Sequence, residues 1–112
     1  MKQAIDYIDE AIAITRLREA SCPAFRLYAS TLIQLDFIRN ILLGVENDKS
    51  RLHKLTIGVW AAKEFEGTDP ELADVLFTAY SIGDQIARGL KIQLPDGRPL
   101  ESLNRPSPPS QE

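Results

Sequence analysis

Cysteine and histidine are nearly absent from this 112-residue chain, with one of each. A single cysteine, Cys22, excludes an intramolecular disulfide and suits a reducing compartment. It precedes a proline and has no histidine near it in sequence, which reads as a structural residue. The lone histidine, His53, lies beside Arg51 and Lys54, a setting that reads as surface rather than as a ligand or general base. There is no CxxC, no paired-His metal motif, no Gly-rich phosphate loop and no Glu-x-x-His bundle-metal motif. No catalytic residue, metal or cofactor is therefore expected. Long apolar runs are also missing; none approaches the roughly 18 residues of a membrane span. Asp6, Asp9 and Glu10 interrupt the segment MKQAIDYIDEAI, so it does not read as a secretory signal, and a cytoplasmic location is expected. Finally, there is no excess of cations. Lys and Arg total 13 against 16 Asp and Glu, a net charge of -3. Without a phosphate-neutralising patch, nucleic acid is not the expected partner. Mild acidity suits a basic one.

What is present is ordinary globular composition: 44% hydrophobic and 26% charged residues. The length fits one domain with one core. Periodicity predicts four helices. The first covers about 3–19, with Ile5, Ile8, Ile12, Thr15, Ala4 and Ala11 on one side. The second covers about 23–43, capped by Ser21, with Pro23 in its first turn and Gly44 as a stop. Its main stripe is Phe25, Tyr28, Leu32, Leu35, Ile38 and Leu42; Ile33, Phe37 and Ile41 make a second one. The third covers about 51–66 with Ser50 as cap. The fourth covers about 69–89, with Thr68 and Glu71 at capping-box spacing and Pro70 in the first turn. Leu72, Val75, Leu76, Ala79, Ile82, Ile86 and Leu90 form its apolar face. Short loops place sequential helices antiparallel. The expected fold is an all-α, compact four-helix bundle over residues 1–95. Alternating Leu90, Ile92 and Leu94 predict a short extended arm docked on it. Residues 96–112, rich in Pro and Ser, read as a mobile tail.

Three features bear on binding. In the third helix Leu52, Leu55, Val59 and Ala62 form the main stripe, yet Ile57, Trp60 and Phe65 project elsewhere. Such a helix is either buried on several sides or exposes Trp60 as an interface anchor. In the fourth, Phe77 lies almost opposite the apolar face among Asp74, Ser81, Asp84 and Arg88. It is either covered by another segment or an apolar anchor with a polar rim. Glu64, Glu66, Asp69, Glu71 and Asp74 crowd the turn between these helices. Part of that density complements the dipole of the fourth helix; part reads as a patch that steers a basic partner. The expected partner-binding residues are Trp60, Glu64, Glu66, Asp69, Glu71, Asp74, Phe77 and Asp84. Gly58 and Gly83 lie inside helices, and Ala79, Gly83 and Ala87 form a small-residue stripe that reads as close core packing.

The segments IDYIDEAIAI (5–14), QLDFIRNILLG (34–44), LHKLTIGVWAAKEFEGTDPEL (52–72) and ARGLKIQLP (87–95) resemble a family of type VI secretion immunity proteins. That family neutralises a toxin that hydrolyses NAD and NADP. The likeness covers roughly residues 3–95 and is most specific in KEFEGTDPEL. It implies a non-enzymatic cytoplasmic antitoxin that binds the toxin domain and blocks its nucleotide cleft. It assigns no contact residues, so those above rest on the surface reading alone.

Two other classes compete with this reading. A self-associating helical adaptor would use the extra apolar surface of helices two and three, including the second stripe of helix two, and its homodimer is compatible with immunity function. A small-ligand or enzymatic domain would need an interhelical pocket with convergent polar groups.

Overall fold

The computed structural model of the chain describes residues 3–94. The elements are α1 (Ala4–Ser21), α2 (Leu27–Leu43), a 3₁₀ segment (Lys49–Lys54), α3 (Ile57–Trp60), a π turn (Ala61–Phe65) and α4 (Pro70–Ala87). The expected all-helical bundle is what forms. The expected mobile tail lies outside the described residues.

α1 packs against both α2 and α4. Its pairings give the directions. Asp9 meets Arg39, while Arg16 lies beside Leu32 and Ile33, so α1 and α2 run antiparallel. Arg18 meets Asp69 and Glu71, while Tyr7 lies beside Thr78, so α1 and α4 are antiparallel too. Ile8, Leu35, Ile38, Ile57, Leu72, Leu76 and Ile82 are fully buried where these helices meet. Each such side chain contributes about 1.5–3 kcal/mol by leaving water.

Several ends differ from expectation. α1 runs on to Ser21, whose hydroxyl donates to the Leu17 carbonyl instead of capping α2. α2 then begins at Leu27, after a short aromatic corner. There Phe25 packs edge-on to Tyr28, and Tyr28 stacks on Phe65 at 5.8 Å. Gly44 ends α2 as expected. At φ +79° it lets the Val45 N–H reach the Asn40 carbonyl and the Gly44 N–H reach Ile41, a Schellman closure.

The third helix is not one helix. A 3₁₀ segment capped by Asp48, not Ser50, is followed by extended backbone at Leu55. α3 starts afresh at Ile57. The break resets the helical phase. Ile57, Ala61 and Phe65 therefore face the core, whereas Val59 and Ala62 face outward. The π turn, closed by the Glu66 N–H on the Ala61 carbonyl, shifts the phase again. The new start is capped from outside: Gln34 Oε1 on α2 accepts from the N–H groups of Thr56 and Ile57 at 2.9 and 3.1 Å, and its Nε2 donates to Thr56 Oγ1.

The arm docks as expected at Ile92 and Leu94, which pack on the core; Leu90 is exposed. Gln85 holds it, accepting from the Gln93 N–H at 2.7 Å. The interior glycines mark close approaches. A Cβ on Gly58 would lie 2.9 Å from the Tyr80 ring, and one on Gly83 would lie 2.6 Å from Leu55 Cδ1.

Candidate partner-binding face

The start of α4 organises the acidic turn. Asp69, not Thr68, is the N-cap; its Oδ1 accepts from the Leu72 N–H. Thr68 instead donates to the Glu64 carbonyl. Pro70 follows as the first helical residue, where it needs no N–H partner. Asp69 also binds across the bundle. Arg18 Nε donates to its Oδ2 at 2.7 Å, and Arg18 Nη2 reaches Glu71 Oε1 at 2.7 Å. The Arg18 guanidinium holds the Asp69 carboxyl below its ordinary value. Burial opposes that shift and the Leu72 N–H adds to it.

Of the five acids in the turn, then, Asp69 and Glu71 are engaged by Arg18. Glu64, Glu66 and Asp74 are exposed and make no ion pair among the described residues. Asp84 pairs with Arg88 one turn further along α4.

Glu66, Glu71 and Asp74 converge on a surface hollow of about 460 Å³ floored by Pro70, Ala73 and Phe77. Phe77, 37% exposed, forms the wall between this hollow and a second one. The second is lined by Gly58, Val59, Ala62, Lys63, Phe77 and Tyr80 and is almost wholly apolar. α3 and α4 run antiparallel here, Gly58 lying against Tyr80 and Glu66 near Ala73. The resulting face is an apolar strip, with Lys63 at its edge, beside the carboxylates of Glu66 and Asp74, which make no ion pair among the described residues.

The structure brings Glu66, Glu71, Asp74 and Phe77 together. It sets Trp60 apart as a half-buried side chain packed on the core, and it places Asp84 on the far side of Tyr80 along α4. Two contributors were not singled out from sequence. Val59, 52% exposed, sat in the expected inward stripe, and only the break at Leu55–Thr56 turns it outward. Arg18 lies 51 residues from Asp69, and no local pattern marks the pair. Among the described residues no group of three or more His, Cys, Asp or Glu could hold a metal ion, and no helix is long and apolar enough to cross a membrane.

The geometry has close relatives. The chain is 46% identical over 91 residues to the Immune protein Tsi6 of Pseudomonas aeruginosa PAO1, spanning 81% of this chain and 97% of that protein. It superposes on a chain of the solved structure of Tse6 in complex with Tsi6 with a TM-score of 0.81 at 45% identity, over 84% of this chain and 100% of the other. The structure of Tsi6 from Pseudomonas aeruginosa matches with a TM-score of 0.74 at 43% identity, over 85% and 99%. The Tsi6 family model matches residues 3–85, a stretch that holds α1 to α3, the acidic turn and all but the last two residues of α4, and the chain belongs to the Tsi6 family.

Proposed function

We propose that this protein is a cytoplasmic immunity protein. It binds the toxin domain of a cognate type VI secretion effector, an NAD(P)+ glycohydrolase, and blocks the nucleotide cleft. It does so by occupancy, with no chemistry of its own. The observation that carries this reading is the match, along the full length of the matched chain, to a structure of Tse6 in complex with Tsi6. The resemblance of residues 52–72 to the antitoxins of NAD-hydrolysing toxins supports the choice of substrate.

The α3–α4 face is the surface that meets the toxin in this reading. Glu64, Glu66 and Asp74 meet the cationic lining that a dinucleotide-phosphate cleft needs. Phe77 is the apolar anchor beside them, with half-buried Trp60 contributing from α3 and Asp84 from farther along α4. Asp69 and Glu71 hold the turn in shape and add to its negative field.

The test is NAD hydrolysis by the cognate toxin domain with this protein titrated in. Complete inhibition at one-to-one stoichiometry is expected. Hydrolysis that continues with this protein in excess would overturn the reading.

A further inference from the structure

A second face, where α1 meets α2, carries charges of both signs around an uncovered apolar side chain. Ile33 is 68% exposed. With Ile12, Arg16, Leu32 and Asp36 it lines a shallow hollow of about 300 Å³. An adjoining hollow shares Ile12, Arg16 and Asp36 and adds Asp9, Ala13 and Arg39. Asp9 and Arg39 bind each other at 2.7 Å across the two helices. Arg16 and Asp36 flank both hollows, yet neither makes an ion pair among the described residues. One turn along α1 from Ala13, Leu17 is also exposed.

We propose that this face docks a second copy of the chain in a twofold interface. Arg16 of each copy meets Asp36 of the other, and Ile33 packs near the axis. The argument is one of charge. A twofold contact places the same patch on both sides, so the patch must complement itself. The whole chain is acidic, at -3, and two copies repel at long range. The α3–α4 face would make that worse, since Glu66 and Asp74, with only Lys63 to offset them, would meet their own kind. On the α1–α2 face Asp9, Arg16, Asp36 and Arg39 sum to zero. The one cation and one anion of this face that make no ion pair among the described residues sit on different helices, where a twofold rotation can exchange them; Asp36 is held only by the Asn40 side-chain amide at 3.5 Å. Ile33 supplies apolar area that is otherwise left in water. The two faces share no residue, so a dimer leaves the α3–α4 face open and the assembly with a toxin domain is two-to-two.

Sedimentation of the free protein with two reversals tests this without any toxin. The wild type is expected to be a dimer at micromolar concentration. Arg16→Asp sets acid against acid and Asp36→Arg sets base against base, so each alone should self-associate at least about tenfold more weakly. Mixed in equal amounts, the two variants are expected to form a heterodimer, because each then supplies the charge the other lacks. Circular dichroism checks that both fold, and uncharged Ile33→Ser should weaken the dimer independently. A wild type that stays monomeric through the micromolar range overturns the proposal. So does a dimer that neither reversal affects, or a mixture that remains monomeric.

Discussion

Asp69 serves two structural ends at once. It caps α4 through the Leu72 N–H and receives the Arg18 guanidinium from α1. Asp69→Ala removes both and should cost about 2 kcal/mol at neutral pH, read as a lower urea midpoint. The pH dependence has a definite sign. The folded-state carboxyl titrates below its ordinary value, chiefly through Arg18. Its stabilisation is therefore fully present above the unfolded aspartate value and is lost as pH falls through the folded one. The gap between wild type and Asp69→Asn should accordingly narrow on acidification below the ordinary aspartate range. A constant gap down to low pH would show that the ion pair contributes nothing. Thr31 is the opposite case. Its hydroxyl is buried on α2 with no partner among the described residues, whereas buried Thr15 donates to the Ala11 carbonyl at 2.7 Å. Thr31→Val keeps the shape and drops the unpaired hydroxyl, so thermal stability should rise, by about 1 kcal/mol.

At the scale of elements, the short α3 depends on a neighbour. Four residues and a π turn hold little helical stability by themselves. Gln34 supplies the acceptor for the first two N–H groups. Gln34→Ala should cost about 1–2 kcal/mol, with hydrogen exchange accelerating at Thr56 and Ile57 before α1 or α2 respond. Global destabilisation without local acceleration would mean the cap is incidental. This dependence also explains which elements could be read from sequence. The long helices α1 and α4 declare themselves, since Ile8, Ala11, Ile12 and Thr15 and then Leu72, Leu76, Ala79 and Ile82 repeat without interruption and are buried as the pattern demands. The glycine stop at Gly44 is equally local. The segment 49–65 is not, because its phase is set by a cap 22 residues upstream and by a π turn that no periodicity announces. Local periodicity alone points Val59 and Ala62 inward for that reason. Phe77 and the acidic turn were legible because an aromatic among charges and a dense run of acids break the local pattern. Arg18, which decides which acids remain unpaired, was invisible because its partners are distant in sequence.

Across the whole molecule, charge is sorted by face. The α1–α2 face is balanced, while the α3–α4 face carries unpaired carboxylates beside an apolar strip. If that second face grips a cationic cleft, the double reversal Glu64→Lys with Glu66→Lys should weaken toxin binding about a hundredfold and leave the melting temperature within a few degrees. Binding of the wild type should also weaken as salt rises, and that slope should flatten in the variant. An unchanged affinity would move the interface elsewhere. The Arg18 lock has a consequence for how such a protein diverges. An antitoxin that tracks a changing toxin must alter its contact surface without losing its fold. The side chains of Glu64, Glu66 and Asp74 are exposed and make no ion pair among the described residues, so they can be exchanged at almost no cost to the bundle. Asp69 is held in place by α1 and by the start of α4. If the proposed face is the contact surface, the residues free to retune specificity are thereby separated from the one that must stay.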